Sequence, residues 1–293
     1  MAPRFGRVMT AMVTPFDDRG ALDLDAAATL ADWLVTNGSD GLVLCGTTGE
    51  SPVLSDSEEV ALTRAVRAAV TVPILLGTGS NDTTYAVEAT RRSAELGVDG
   101  VLVVAPYYNR PPQSGLDLHF RAIAAATKLP VLLYDIPVRT GRKISTELIL
   151  RLAREVPNII GVKDAAGDPP ESARLLAGAP EGFELYSGDD AMTLPLLSIG
   201  AVGTISVASH WVGRQLGEMV DAYEKGDVVT ARRINAGLVA SYDFESSEEA
   251  PNPIPTKAML RVLGLPVGQC RPPMGPAPEG LEDQARDVLA DLN

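Results

Sequence analysis

The sequence predicts a (β/α)8 barrel, an α/β fold of the TIM-barrel class, with additional C-terminal helices. Three observations carry that prediction. Eight short apolar, β-branched runs recur at wide and fairly even intervals, each continuous rather than alternating, as strands buried on both faces are. Segments of helical periodicity lie between them, so parallel strands are joined by helical crossovers. The chain has 293 residues, and eight units of about 30 residues fit a closed barrel of about 250 residues.

The first run is Val8–Val13. Leu24–Thr36 follows with apolar residues at helical spacing and stops at Asn37-Gly38, a C-cap signal. Gly41–Cys45 is the second run. Ser55–Ala69 opens with Ser55 and carries Glu58 three residues later, a capping box. Pro73–Leu76 precedes a helix over Thr83–Leu96 that ends at Gly97, and Gly100–Ala105 precedes one over Gly115–Ala126. Pro130–Tyr134 is followed by Ser145–Glu155, which runs to Pro157. Ile159–Lys163, Glu184–Tyr186 and Val202–Val207 complete the eight. Residues 1–226 are thus expected to form the barrel. Residues 227–293 read as a helical extension packed on it, with an acidic loop (Glu245, Glu248, Glu249) and a Pro-rich stretch, Arg271–Pro278. Ala191–Gly213 carries no formal charge, but Pro195, Gly200 and Gly203 break it. It reads as helix plus buried strand rather than a membrane span.

Composition excludes several function classes. With 45% hydrophobic and 22% charged residues the chain is globular, neither disordered nor collagen-like. Its net charge is −13 and it shows no Lys/Arg cluster, so no nucleic-acid partner is expected. Two cysteines, Cys45 and Cys270, make no disulfide framework, which fits a reducing, cytoplasmic compartment. Two histidines, His119 and His210, stand in no metal-ligand spacing, which argues against a zinc site and a Ser-His-Asp triad. Residues 1–14 lack the long apolar core of a signal peptide. Gly77-Thr78-Gly79 begins a GxGxxG, but Asp82 occupies its last position. Neither a Walker A loop nor a GxSxG elbow occurs.

Barrel active sites sit at the carboxyl ends of the strands. Hydroxyls, phenols, one Arg and one Lys follow the apolar runs there. Lys163 is the most informative of them. The chain has five lysines. Lys128, Lys143 and Lys225 sit beside loop or helix-end signals and Lys257 follows a Pro-rich turn, whereas Lys163 alone ends an apolar strand. Gly161, two residues earlier and on the same face, is expected to leave room beside it. Burial disfavours an ammonium, and neutral amine attacks a carbonyl to form a Schiff base. An ion pair with Asp164 or another rim carboxylate explains the position equally well. Tyr134 could shuttle a proton, or simply line the barrel. Thr47 and Thr48 in their Gly-flanked turn could hold a carboxylate, or serve only the turn. Arg139 could grip a carboxylate bidentately, or form a surface ion pair.

Taken together, the strings resemble the dihydrodipicolinate synthase family, within the N-acetylneuraminate lyase superfamily of class I pyruvate aldolases. They are Ala11-Met12-Val13-Thr14-Pro15-Phe16, Gly46-Thr47-Thr48-Gly49-Glu50, Pro106-Tyr107-Tyr108-Asn109 and Tyr134-Asp135-Ile136-Pro137-Val138-Arg139-Thr140-Gly141. Further on come Gly161-Val162-Lys163-Asp164, Ser187-Gly188-Asp189-Asp190-Ala191, Gly203-Thr204-Ile205-Ser206-Val207 and Asn252-Pro253-Ile254-Pro255. Each string is weak alone; the ordered set is specific.

The resemblance implies that Lys163 forms an imine with pyruvate and that Tyr134 donates and accepts the protons. It implies a relay in which Thr47 links Tyr134 to Tyr108, the latter reaching across a dimer interface. Thr48 would hold the pyruvate carboxylate, Gly188 and Ile205 would line the pocket, and Arg139 would bind the second substrate, L-aspartate 4-semialdehyde. It further implies a homo-oligomer, a dimer of dimers, with no metal, no organic cofactor and no membrane partner. Asp135, Asp164 and Ala166 depart from the residues common at those places. Two rivals remain in view: an aldolase acting on a sugar acid, against which Arg139 argues, and a keto-acid or amino-acid sensor, which would not need Lys163 and Tyr134. Lysine-inhibited relatives use an Asn, a Tyr and an acidic residue at the dimer interface. Asn81 and Tyr107 match, but Tyr85 stands at the acidic place, and Asp56 and Glu59 stand where some relatives carry histidines. Weak inhibition by lysine is therefore expected.

Overall fold

The computed structural model describes residues 3–292. In chain order its elements are β1 (Val8–Ala11), α1 (Leu24–Thr36), β2 (Gly41–Leu44), α2 (Asp56–Ala69), β3 (Ile74–Gly77), α3 (Thr83–Ser93) and β4 (Gly100–Val104). There follow α4 (Gln113–Ala124), β5 (Val131–Asp135), α5 (Pro137–Thr140), α6 (Thr146–Glu155), β6 (Ile159–Asp164), α7 (Pro169–Gly178) and β7 (Glu184–Ser187). The last are α8 (Thr193–Leu197), β8 (Gly203–Ser206), α9 (Ser209–Glu224), α10 (Val228–Phe244), α11 (Ile254–Val262) and α12 (Leu281–Asp291). The strand order β1 to β8 is that of a closed parallel barrel.

All eight apolar runs are strands, their ends displaced by no more than two residues. Helix α1 has the expected bounds. Asp23 caps its first turn, and Gly38, at φ +105°, turns the chain out of it. Ser55 and Glu58 form the expected capping box on α2. Two helices differ from expectation by more than one residue at an end, α4 at both ends and α3 at its last turn. Helix α4 starts at Gln113, because Pro112 serves as its cap and Gly115 is absorbed in the first turn. Helix α3 stops at Ser93, and tight turns carry the chain from there to Gly97. The one-turn helix α5 was not foreseen: Pro137 starts it and Gly141, in the left-handed region, ends it. Ala191–Gly213 divides into α8, β8 and the start of α9, and among the described residues no helix is long and apolar enough to cross a membrane.

The chain forms two compact units. One holds Ile74–Ile205. Its core is the face that β4–β7 turn toward α3, α4, α6 and α7, with Val101, Val103, Phe120, Leu133, Leu152, Val162 and Leu185 all buried. The Asp99 carboxylate accepts from the Ile74 amide at 2.8 Å, and the Asn158 amide donates to the carbonyls of Ala124 and Thr127, tying strand starts to helix ends. The other unit holds Phe5–Pro73 and Ser206–Asn293. There β1 pairs with β2, and the Asp40 carboxylate accepts from the amides of Arg7 and Val8. In this unit α10, α11 and α12 pack around Ala250, Ile254, Ala258, Cys270 and Leu281.

Candidate active site

In the unit holding β3–β7, the parallel register sets Tyr134 opposite Lys163 and Lys163 opposite Tyr186. The row one step further is Asp135, Asp164 and Ser187. Successive strand residues point to opposite faces, so Tyr134 and Lys163 share one face while Asp135 and Asp164 share the other. That alternation answers the rival explanation of Lys163 as the partner of Asp164. The Asp164 oxygens accept instead from the Ala166 amide at 2.9 Å and the Ser172 hydroxyl at 2.5 Å, toward α7. Asp135 likewise turns toward the helices, where Lys143 Nζ lies 3.1 Å away and the Ile144 amide donates at 3.0 Å. Burial pushes the Asp135 carboxyl above the ordinary aspartate range, opposed by the Lys143 ammonium. Two of the three departures from the family strings therefore face away from Lys163.

Lys163 is 5% exposed, with Nζ 4.4 Å from the centre of the Tyr134 ring. Tyr134 is 5% exposed as well. The amide of Gly188 donates to the Asp164 carbonyl at 2.7 Å, which carries the β6–β7 ladder one residue past Ser187 and lays Gly188 against the lysine. A Cβ at Gly188 would meet Lys163 Cγ at 2.9 Å and Cε at 3.0 Å. The room beside the lysine is thus made by Gly188. This corrects the expectation for Gly161. A Cβ there would overlap the Glu184 carbonyl oxygen and press on Leu132, so that glycine serves the close approach of β6 to its neighbouring strands.

The other residues of this unit fall as follows. Ile205 is buried on β8. Arg139 lies exposed on α5, five residues beyond Tyr134. Tyr108, in the loop after β4, is 90% exposed and held at φ +70°. A left-handed tyrosine costs on the order of 1–3 kcal/mol and such strain gathers at functional sites.

Thr47 and Thr48 belong to the second unit, in the turn after β2. Several bonds fix that turn. The Glu50 amide donates to the Thr47 carbonyl, the Ser51 amide to the Gly46 carbonyl and the Thr14 hydroxyl to the Gly49 carbonyl at 2.6 Å. Thr48 is buried, and its hydroxyl oxygen accepts from Asn252 Nδ2 at 3.0 Å. Glu50 is buried too. One of its oxygens lies 2.7 Å from Lys257 Nζ and the other accepts from the Arg271 amide. Lys257, which sequence context read as a turn-flanking lysine, is in fact fully buried, donates to the Gln269 carbonyl and lies 4.2 Å from the Phe16 ring centre. Burial lowers its pKa and the Glu50 carboxylate opposes that. Burial raises the Cys45 thiol well above the ordinary thiol range and pushes the Cys270 thiol up to about 12.

A buried lysine at the end of barrel strand β6, a tyrosine beside it and a glycine making room are the parts of a Schiff-base aldolase. The protein is an enzyme of that class, a pyruvate-dependent lyase. More particularly, the chain belongs to the dihydrodipicolinate synthetase family, whose sequence profile matches residues 4–292. It is 50% identical over 291 residues to 4-hydroxy-tetrahydrodipicolinate synthase of Parasynechococcus marenigrum, covering 98% of this chain and 95% of that one. It superposes with a TM-score of 0.94 on dihydrodipicolinate synthase of Cyanidioschyzon merolae, solved with lysine bound, at 45% identity and 98% coverage of both chains. The enzyme of Acinetobacter baumannii, solved with pyruvate, gives a TM-score of 0.93 at 35% identity, with 98% of this chain and 99% of that one covered.

Proposed function

We propose that the chain condenses pyruvate with L-aspartate 4-semialdehyde to give 4-hydroxy-tetrahydrodipicolinate, with net loss of one water, and that Lys163 carries the imine. One observation carries the reading. Lys163 is buried opposite Tyr134 with Gly188 leaving its side chain free space, while the nearby carboxylates Asp135 and Asp164 are engaged on the other face. The Lys163 amine adds to the ketone carbon of pyruvate, and the carbinolamine loses water to form the imine. Loss of a methyl proton gives an enamine, whose carbon bonds to the aldehyde carbon of the second substrate. The amine of that substrate then attacks the imine carbon, closes the ring and releases Lys163. Tyr134 passes the protons, with Thr47 and Tyr108 as its relay. Thr48 takes the pyruvate carboxylate, with Gly188 and Ile205 lining the pocket. Arg139 takes the carboxylate of the semialdehyde, a planar group that its fork matches. An imine serves as its own electron sink, so these steps call for no metal or organic cofactor.

The exposure of Tyr108 supports its service to a neighbouring protomer, in a dimer of dimers. The two free cysteines support a cytoplasmic location. Borohydride reduction in the presence of pyruvate tests the central claim. One pyruvyl adduct per chain is expected, on the peptide bearing Lys163, and none in Lys163→Arg, whose guanidinium stays charged at working pH. An adduct on Lys257 would refute it. Product assays with the semialdehyde and with a sugar acid separate this reading from the sugar-acid aldolase.

A further inference from the structure

Asn252 closes the loop before α11 and lies far in sequence from every residue given a role above. Its side chain is 8% exposed and is held at both ends. Nδ2 donates to Thr48 Oγ1 at 3.0 Å, and Oδ1 accepts from the Thr256 hydroxyl at 3.2 Å, one turn into α11. Thr256 is itself fully buried. The polarity of that chain matters. A hydroxyl that accepts from an amide N–H keeps its own hydrogen for a different acceptor. A Thr48 hydroxyl facing a carboxylate or carbonyl oxygen would instead donate its hydrogen there and offer only lone pairs outward.

We propose that Asn252 is a positioning residue that sets the direction of the Thr48 hydroxyl, so that Thr48 donates its hydrogen to the carboxylate of the keto-acid substrate. The inference rests on the reading of Thr48 as the carboxylate-binding residue. Thr256 in turn fixes the orientation of the Asn252 amide, and α11 supports the same turn a second time through Lys257 and Glu50. The C-terminal segment thereby acts on binding of the first substrate through one amide, without touching that substrate.

The test compares Asn252→Ala, Asn252→Asp, Thr256→Val and Thr48→Val by steady-state kinetics at pH 8, with pyruvate and L-aspartate 4-semialdehyde each varied, beside thermal melts of every variant. Asn252→Asp keeps the shape and still accepts from Thr256, but it can only accept from Thr48, so it reverses the bond and brings a negative charge. Asn252→Ala is expected to raise the KM for pyruvate roughly three- to ten-fold, the range of one neutral hydrogen bond. Asn252→Asp is expected to raise it by roughly ten- to a hundred-fold, as loss of a charged hydrogen bond does, although it disturbs packing less than the alanine. Thr256→Val, the mildest change, should raise it by a few-fold. In all three, kcat and the KM for the semialdehyde should hold. A purely structural Asn252 would reverse the order, with the alanine worse than the aspartate and both substrates affected alike, and that result overturns the proposal. If Thr48→Val leaves the KM for pyruvate unchanged, the reading of Thr48 itself fails. If Thr48→Val raises it while the Asn252 and Thr256 variants do not, only the present inference falls. In Thr48→Val, adding Asn252→Asp should cost much less than it does alone, because the hydroxyl it misdirects is gone.

Discussion

Gly188→Ala is the sharpest probe of the lysine's surroundings. The added methyl would stand 2.9 Å from Lys163 Cγ, 3.0 Å from Lys163 Cε and 2.9 Å from Ala165 Cβ. Carbon atoms pack at about 3.5–4.0 Å, so at least half an ångström of movement is required. The Ala165 contact is with a short side chain fixed to the backbone, since the Ala165 amide donates to the Asp135 carbonyl. Most of the displacement therefore falls on the lysine. Overpacking of this kind costs on the order of 1–3 kcal/mol of stability, or a few degrees of Tm per kcal/mol in a chain of this size. The larger effect is on chemistry. Displacement by about 1 Å of a reacting group costs on the order of a hundred-fold in rate. Imine formation, read by the rate of borohydride-trapped pyruvyl adduct, should fall by roughly ten- to a hundred-fold while the variant melts in one cooperative step. Wild-type trapping and wild-type kcat in a folded Gly188→Ala protein would refute the argument that Gly188 makes the lysine's space.

Three further outcomes are expected. Arg139→Ala should raise the KM for L-aspartate 4-semialdehyde at least ten-fold, since a charge-assisted contact is worth on the order of 1.5–3 kcal/mol, while pyruvate trapping persists; unchanged semialdehyde kinetics would favour the sugar-acid reading. His119 is buried, with Nδ1 2.9 Å from the Thr83 hydroxyl, and burial lowers its pKa to about 4, partly opposed by Asp82. The folded state thus binds fewer protons than the unfolded one, and stability should fall as pH drops through about 6.5 toward 4 by up to about 3 kcal/mol; His119→Gln should flatten the Tm–pH curve in that window, and parallel curves would contradict this. Titration with L-lysine at subsaturating pyruvate should give half-inhibition above about 1 mM, near −4 kcal/mol of binding. Tyr85 supplies no carboxylate, and the Arg92 guanidinium lies 6.0 Å from its ring centre, an unfavourable neighbour for a cationic ligand.

The strands and most helix ends were legible because each rests on a local cause: a continuous apolar run, the Ser55–Glu58 box, the Asn37-Gly38 stop. Lys163 was legible for the same reason, as the one lysine that closes an apolar strand. Its surroundings were not. Gly161 and Gly188 are both glycines near the lysine, and local sequence favoured the nearer. Only the β6–β7 register shows that Gly161 meets backbone and Gly188 meets the lysine stem. Lys257 was misjudged because the carboxylate that buries with it, Glu50, lies some two hundred residues away in the chain, where no periodicity or cap signal reaches. Asn252 stood in the family string yet carried no chemistry until Thr48 and Thr256 appeared at its two ends. The two buried lysines now separate on physical grounds. Lys257 is satisfied by a carboxylate, a carbonyl and a ring, an arrangement that holds an ammonium in place. Lys163 shares its face with a phenol while the carboxylates in the next register row point away. That difference supports the proposal of Lys163 as the nucleophile and of Lys257 as a structural cation.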